Sequence, residues 1–231
     1  MFIPETPDQA IVSLQASRYG YSLVDLTLSA EDVADFNQIA VEKDLFYSSF
    51  GFPSPENLSH FLLEIGPNEP QSAQRIAERI IQIAADVLHA SQRETFWLTL
   101  RSFTPTSRYD MPRWHIDGQY YFPDKGEKDA QYRLSFALVG PSTLFYPLPR
   151  ASEELRKIVW VQMADRKRMA EMFPKEEAFS PNRGQAAFMI GGSSQNGALH
   201  SEPPIHEGRL FLSIIPCNKK DLTRLNGFAT N

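Results

Sequence analysis

At Glu94 the periodicity of the chain changes. TFWLTLRSF, from Thr95, alternates as a strand does, with Phe96, Leu98 and Leu100 on one face and Trp97, Thr99 and Arg101 on the other. Short apolar segments follow at 113–121, 132–139, 143–146, 185–190, 198–201 and 209–215. Turn signals separate them: Asp124-Lys125-Gly126, Gly140-Pro141, Gly191-Gly192, Pro203-Pro204 and Glu207-Gly208. Many short strands punctuated in this way predict a sandwich or barrel. The stretch 152–172 lacks Pro and Gly and is rich in helix formers, so it reads as a helical insertion between strands.

Before Glu94 the pattern is helical. Ser29, with Asp32 three residues on, makes a capping-box-like start for a helix to about Leu45, with Val33, Phe36, Ile39 and Ala40 on one face. Pro53, Pro55, Pro67 and Pro70 mark 50–71 as mostly loop. Over 71–90, Ile76, Ile80, Ile83, Ala84 and Val87 recur at helical spacing. The expected whole is a mainly β (α+β) chain, one domain over 1–231. A helical region over 1–93 packs on a β core over 94–217 that carries the insertion at 152–172.

A folded chain of 231 residues with 42% hydrophobic residues buries roughly 70% of its unfolded surface without metals or disulfides as staples, so a metal here would serve function. No window approaches the roughly 18 apolar residues of a membrane span, and MFIPETPDQA lacks a basic n-region followed by an apolar run, so no membrane association is expected. The single cysteine, Cys217, excludes an intramolecular disulfide and a cysteine zinc cluster, which fits a cytoplasmic protein, and no partner base marks it as a nucleophile. The net charge of −5 argues against nucleic acid as a partner. The run Arg166-Lys167-Arg168 is too short to reverse that and reads as a solvated helix face.

With only five histidines, each can be weighed singly. In Trp114-His115-Ile116-Asp117-Gly118, residues two apart on a strand share a face, so His115 and Asp117 can hold one ion through an imidazole nitrogen and a carboxylate oxygen. A third ligand from a distant strand would complete two histidines and a carboxylate on one octahedral face, leaving three positions open. His200 and His206 both lie in the C-terminal passage. His206 sits between Pro204 and Gly208, as in a turn, which favours His200.

The stretch from about Thr95 to Pro216 resembles the iron(II)- and 2-oxoglutarate-dependent dioxygenases on the double-stranded β-helix (jelly-roll, cupin-like) fold. WHID at 114–117, RLSFALVGPSTLFY at 133–146, GQAAFMIGG at 184–192 and LHSEPPIHEGRLFLSI at 199–214 carry the resemblance, in the family's order. It implies His115, Asp117 and His200 as metal ligands and catalytic centre, and Arg209 as anchor of the distal carboxylate of 2-oxoglutarate. A guanidinium fork suits a carboxylate where lysine would be a point charge. One departure is Phe211, where many members carry Ser or Thr two residues after the arginine; Ser213 comes two residues later still.

Arg101 and Arg133 are further candidates for binding cosubstrate or substrate, with a solvated face as the alternative. Trp114, Gln119, Tyr120 and Tyr121 are expected to line the mouth as amphipathic contact area, or to be aromatic packing. His60 and His89 are assigned nothing. The implied activity is hydroxylation of a protein side chain or small metabolite, using iron(II), 2-oxoglutarate and dioxygen, by a monomer or a homodimer. The rivals are a cupin-like metal-dependent isomerase or hydrolase, which would have no need of Arg209, and a non-catalytic metal-binding β-barrel protein.

Overall fold

In the computed structural model of the chain, residues 5–117, 131–162, 164–191 and 196–222 are described. The N-terminal part runs α1 (Pro7–Ala16), β1 (Tyr21–Asp25), α2 (Ala30–Gln38), β2 (Phe46–Phe50), α3 (Pro55–Glu64) and α4 (Pro70–Ser91). Then come β3 (Thr95–Phe103), β4 (His115–Ile116), β5 (Gln131–Val139), β6 (Leu144–Phe145), α5 (Glu153–Gln162) and α6 (Arg166–Met172). β7 (Gln185–Gly191), β8 (Leu199–Ser201) and β9 (Arg209–Cys217) complete the fold. The strands form two antiparallel sheets, ordered β1-β7-β5-β9-β3-β2 and β4-β8-β6.

Alternation sorts the side chains into layers. Leu98 and Leu100 of β3, Leu134 and Phe136 of β5, and Leu212 and Ile214 of β9 pack in one core with Ile76, Ile80, Ile83 and Val87 of α4. The opposite face of the larger sheet brings Tyr21, Leu23, Ala187 and Met189 against Phe145 and Ala198 of the smaller sheet's side. Beyond that sheet, Trp114, Ile116 and Leu199 meet Val159 of α5, Met169 of α6 and Phe173. Helices thus cover the outer face of each sheet, and the two inner faces look at one another. Gly140 ends β5 at φ +77°, where a Cβ would lie 2.6 Å from the Gly208 carbonyl oxygen, so a side chain is excluded by both strain and space.

Several expectations need correction. α2 starts where the cap predicts, with Ser29 Oγ accepting the Asp32 N–H at 3.0 Å and the Asp32 carboxylate accepting the Ser29 N–H at 2.8 Å. It ends at Gln38, not near Leu45, because Asn68 takes over the following backbone: its Oδ1 accepts the Ala40 N–H and its Nδ2 donates to the Ala40 and Leu62 carbonyls. Val33 is exposed. The stretch read as loop contains α3, with Ser54 as cap and Pro55 in the first turn, where a missing N–H and a fixed φ do no harm. The region read as helical also supplies β1 and β2, the two edges of the larger sheet. The insertion is two helices, because Asp165 caps a new start by accepting the Arg168 N–H. Of the strand expected over 113–121, the pairing among described residues covers only His115–Ile116. No helix among the described residues is long and apolar enough to cross a membrane.

Candidate metal centre

β4 and β8 pair antiparallel with His115 directly opposite His200, so the register sets the two imidazoles side by side, 4.2 Å between ring centroids. Asp117 follows β4 on the same face. Its Oδ1 lies 3.7 Å from His115 Nε2 and 3.6 Å from His200 Nε2. One ligand atom from each residue falls within a 4.8 Å group, close enough to share an ion with bonds of about 2 Å. Both Nδ1 atoms face backbone carbonyls, Arg113 O at 2.7 Å and Ala198 O at 3.1 Å. A carbonyl only accepts, so each Nδ1 carries a proton, and each Nε2 is the ring nitrogen turned toward Asp117 and available as the ligand atom. Gly191 of β7 lets Asp117 come close: a Cβ there would stand 3.3 Å from the Asp117 Cβ.

Arg133, on β5, donates from Nη1 to Asp117 Oδ2 and from Nε to Ser213 Oγ at 2.9 Å. One carboxylate oxygen is therefore held by a guanidinium while the other faces the imidazoles. Burial alone would raise the Asp117 carboxyl, but the charge of Arg133, and then those of His200 and His115, outweigh it and hold Asp117 below the usual carboxylate range. Burial, then the neighbouring His115, pushes the His200 imidazole down to about 4, so it is neutral near pH 7, the form that ligates metal.

A cleft of about 490 Å³ opens over the three residues, between the inner faces of the two sheets. Arg209 lines it. Only 2% of this residue is exposed; its Nε donates to Pro141 O at 2.9 Å, and its guanidinium lies 4.5 Å from the Phe211 ring centroid and 5.8 Å from that of Phe103. Burial first, and also the charges of Arg133 and Arg101, push Arg209 down to about 10, so it is still a cation at neutral pH. The aromatic ring at 211 thus packs on the arginine, and Ser213 is spent on Arg133.

Arg101 reaches the same cleft from β3 and lies over the Phe46 ring at 5.2 Å. Trp114 does not line the mouth. It is fully buried on the other face of β4, where its Nε1 donates to Phe173 O at 2.7 Å and its ring meets Tyr146 edge-on, because adjacent strand residues point to opposite sides. Gln119, Tyr120 and Tyr121 lie outside the described residues. His206 is exposed, 4.0 Å from Asp110, and takes no part in the centre.

Three cleft residues escaped the sequence reading. Arg113 and Glu202 form a two-pronged ion pair, with burial offset by Arg113 so that Glu202 is held down at about 2. Their signal was available, since each stands two residues from a metal-site histidine and so shares its face. Arg166, read as a solvated face, lines the cleft from the start of α6 and donates from Nη2 to the carbonyls of Arg108 and Met111.

No family profile and no curated protein matches the chain. Among solved structures, a prolyl-4-hydroxylase from Pseudomonas putida aligns over 93% of this chain and 100% of its own, at 11% identity and TM-score 0.45. The dioxygenase for auxin oxidation 1 from Arabidopsis thaliana, in a 2-oxoglutarate complex, aligns over 94% of this chain and 92% of its own, at 9% identity and TM-score 0.45. JOX2, in complex with 2OG, Fe and JA, aligns over 92% of this chain and 72% of its own, at 12% identity and TM-score 0.48.

Proposed function

We propose that this chain is an iron(II)- and 2-oxoglutarate-dependent dioxygenase, a single domain over 1–231 whose two sheets form a double-stranded β-helix, hydroxylating a small-molecule or protein substrate. The observation that carries the reading is the convergence of His115 Nε2, Asp117 Oδ1 and His200 Nε2 in one cleft with the buried guanidinium of Arg209. Two imidazoles and one carboxylate are a donor set that suits iron(II) and leaves coordination positions for other ligands. When bound, iron(II) with 2-oxoglutarate and dioxygen supplies oxidative decarboxylation of the cosubstrate to succinate and carbon dioxide, with insertion of one oxygen atom into a C–H bond.

The protein's own contribution is positioning. Arg133 holds Asp117 Oδ2 so that Oδ1 is the ligand atom, and the two Nδ1–carbonyl bonds aim both histidines. Arg209 binds the distal carboxylate of 2-oxoglutarate as a bidentate pair, strengthened because Phe103 and Phe211 keep water from the guanidinium. A metal-dependent isomerase or hydrolase would have no use for that arginine.

Anaerobic addition of 2-oxoglutarate to the iron(II) protein should give a charge-transfer absorption in the visible, absent in His115→Ala and Asp117→Ala. With oxygen admitted, the wild type should release succinate slowly without added substrate, and both variants should release none. Absence of the absorption in the wild type, or equal succinate release by the variants, overturns the assignment.

A further inference from the structure

The ladder between β4 and β8 has two pairs, His115 with His200 and Ile116 with Leu199. Continued in the same register, it would set Trp114 against Ser201, Arg113 against Glu202 and Pro112 against Pro203. Proline has no N–H, so backbone pairing cannot be carried past that point from either strand. The two metal-site histidines are thus the outermost pair of a very short ladder. Side chains take over where the backbone stops. The Arg113 N–H donates to Ser201 Oγ at 2.8 Å, and the same hydroxyl donates to the Glu202 carbonyl at 2.9 Å. The Arg113 guanidinium closes the arrangement on the Glu202 carboxylate, from Nε at 3.1 Å and from Nη2. Ser201 is fully buried, so water does not compete for the inner bond.

This fastening reaches the metal centre through one atom. The Arg113 carbonyl accepts the proton of His115 Nδ1 at 2.7 Å, and that bond sets the direction in which Nε2 points. A displacement of the Arg113 backbone therefore turns the imidazole. On the facing strand, Ser201 and Glu202 follow His200 directly, so the same bonds tie both histidine-bearing segments together. A cross-strand ion pair whose arginine is half-exposed adds little to global stability. Its consequence is local, because it fixes where the acceptor for His115 stands.

We propose that Arg113, Ser201 and Glu202 are positioning residues, a strap across the blocked end of the β4–β8 ladder that holds His115 in the orientation in which it binds metal. This rests on the metal-centre part of the oxygenase reading and on nothing about the substrate. Charge alone predicts a different outcome. Arg113 is a cation lining the same cleft, so by Coulomb's law its removal would tighten the binding of a metal cation. Opening the strap at Arg113 weakens that binding instead. Ser201 carries no charge, so its removal tests the strap with the field unchanged.

The test titrates zinc(II) against a competing chelator in the full chain, wild type and variants, and records the visible ligand-field absorption of the cobalt(II) forms at saturation. Arg113→Ala should weaken zinc binding by about tenfold, as loss of an outer partner of a metal ligand does. Ser201→Ala should weaken it in the same direction. The cobalt bands of both variants should shift while their far-ultraviolet circular dichroism keeps the wild-type shape; a structural role alone would lower the unfolding midpoint and leave the bands in place. Zinc binding by Arg113→Ala that is unchanged or tighter, or cobalt bands unmoved in both variants, overturns the proposal. If Arg113→Ala fails to fold, Arg113→Gln together with Ser201→Ala decides in its place. A wild type that takes up neither metal overturns the metal centre itself, and with it both the oxygenase reading and the strap.

Discussion

Arg133 shows how much one side chain arranges here. It spans from Ser213 Oγ to the carboxylate oxygen of Asp117 that does not face the histidines. Arg133→Ala leaves that buried carboxylate unpaired, and loss of such an outer partner lowers metal affinity by about 10–100-fold; titration of zinc(II) against a competing chelator measures it. Trp114 is the opposite case, a residue beside the site whose work is structural. Trp114→Phe deletes the bond to Phe173 O and should cost about 1–2 kcal/mol in urea unfolding with metal affinity unchanged. Cys217 adds a pH effect. Burial, helped by Asp221, raises its thiol from 9.0 to about 12. A raised folded value means the contribution is fully present below pH 9 and is lost as pH rises toward 12, because the unfolded chain ionises first. The urea midpoint should therefore fall between about pH 8 and about pH 10.5, and fall less in Cys217→Ala. At this scale the sequence was informative where a residue's neighbours two places away share its face, as with His115 and Asp117. It misled for Trp114, whose sequence proximity to His115 put it on the wrong side of the strand.

Elements decide which of these residues meet. His115 faces His200 only because β4 and β8 pair in that register, and a slip of one residue would turn one imidazole to the opposite face. Part of that register is held by Arg156 of α5, a buried residue that sequence reading passed over. Its guanidinium donates to the carbonyls of Leu148, Pro149 and Gly197, tying the helix to the chain just before β8. Arg156→Ala would leave three backbone acceptors buried without that donor, at a cost of about 3 kcal/mol or more. Thermal unfolding reports the loss, and weaker zinc binding reports the displaced His200. Helix starts were legible, as at Ser29 with Asp32, because a cap is a contact between near neighbours. Prolines were legible as punctuation only. Pro55 and Pro70 each occupy the first turn of a helix rather than a loop, since the missing N–H is harmless there.

Across the whole molecule, the cleft joins what the chain keeps far apart. His115 and His200 belong to the smaller sheet and Asp117 directly follows β4, whereas Arg133 and Arg209 stand on the larger sheet. Ligands that bind only the folded chain should stabilise it by mass action. Zinc(II) at a hundred times its dissociation constant adds about 2.7 kcal/mol, or roughly 5–10 °C in melting temperature for a chain of this size. A further rise on adding 2-oxoglutarate should be present in the wild type and absent in Arg209→Gln, by differential scanning fluorimetry. By itself the sequence determined the local terms: strands by alternation, helix starts by caps, and a metal site of histidine and carboxylate, because these follow from residues within a turn or a strand of each other. Only the tertiary structure decided that 21–25 and 46–50 are sheet edges, since β1 is buried on both faces and shows no period. It alone brought arginines from 101, 113, 133, 166 and 209 to one cleft, because strand pairing and sheet packing are contacts between distant segments, and no local pattern in the chain encodes where they converge.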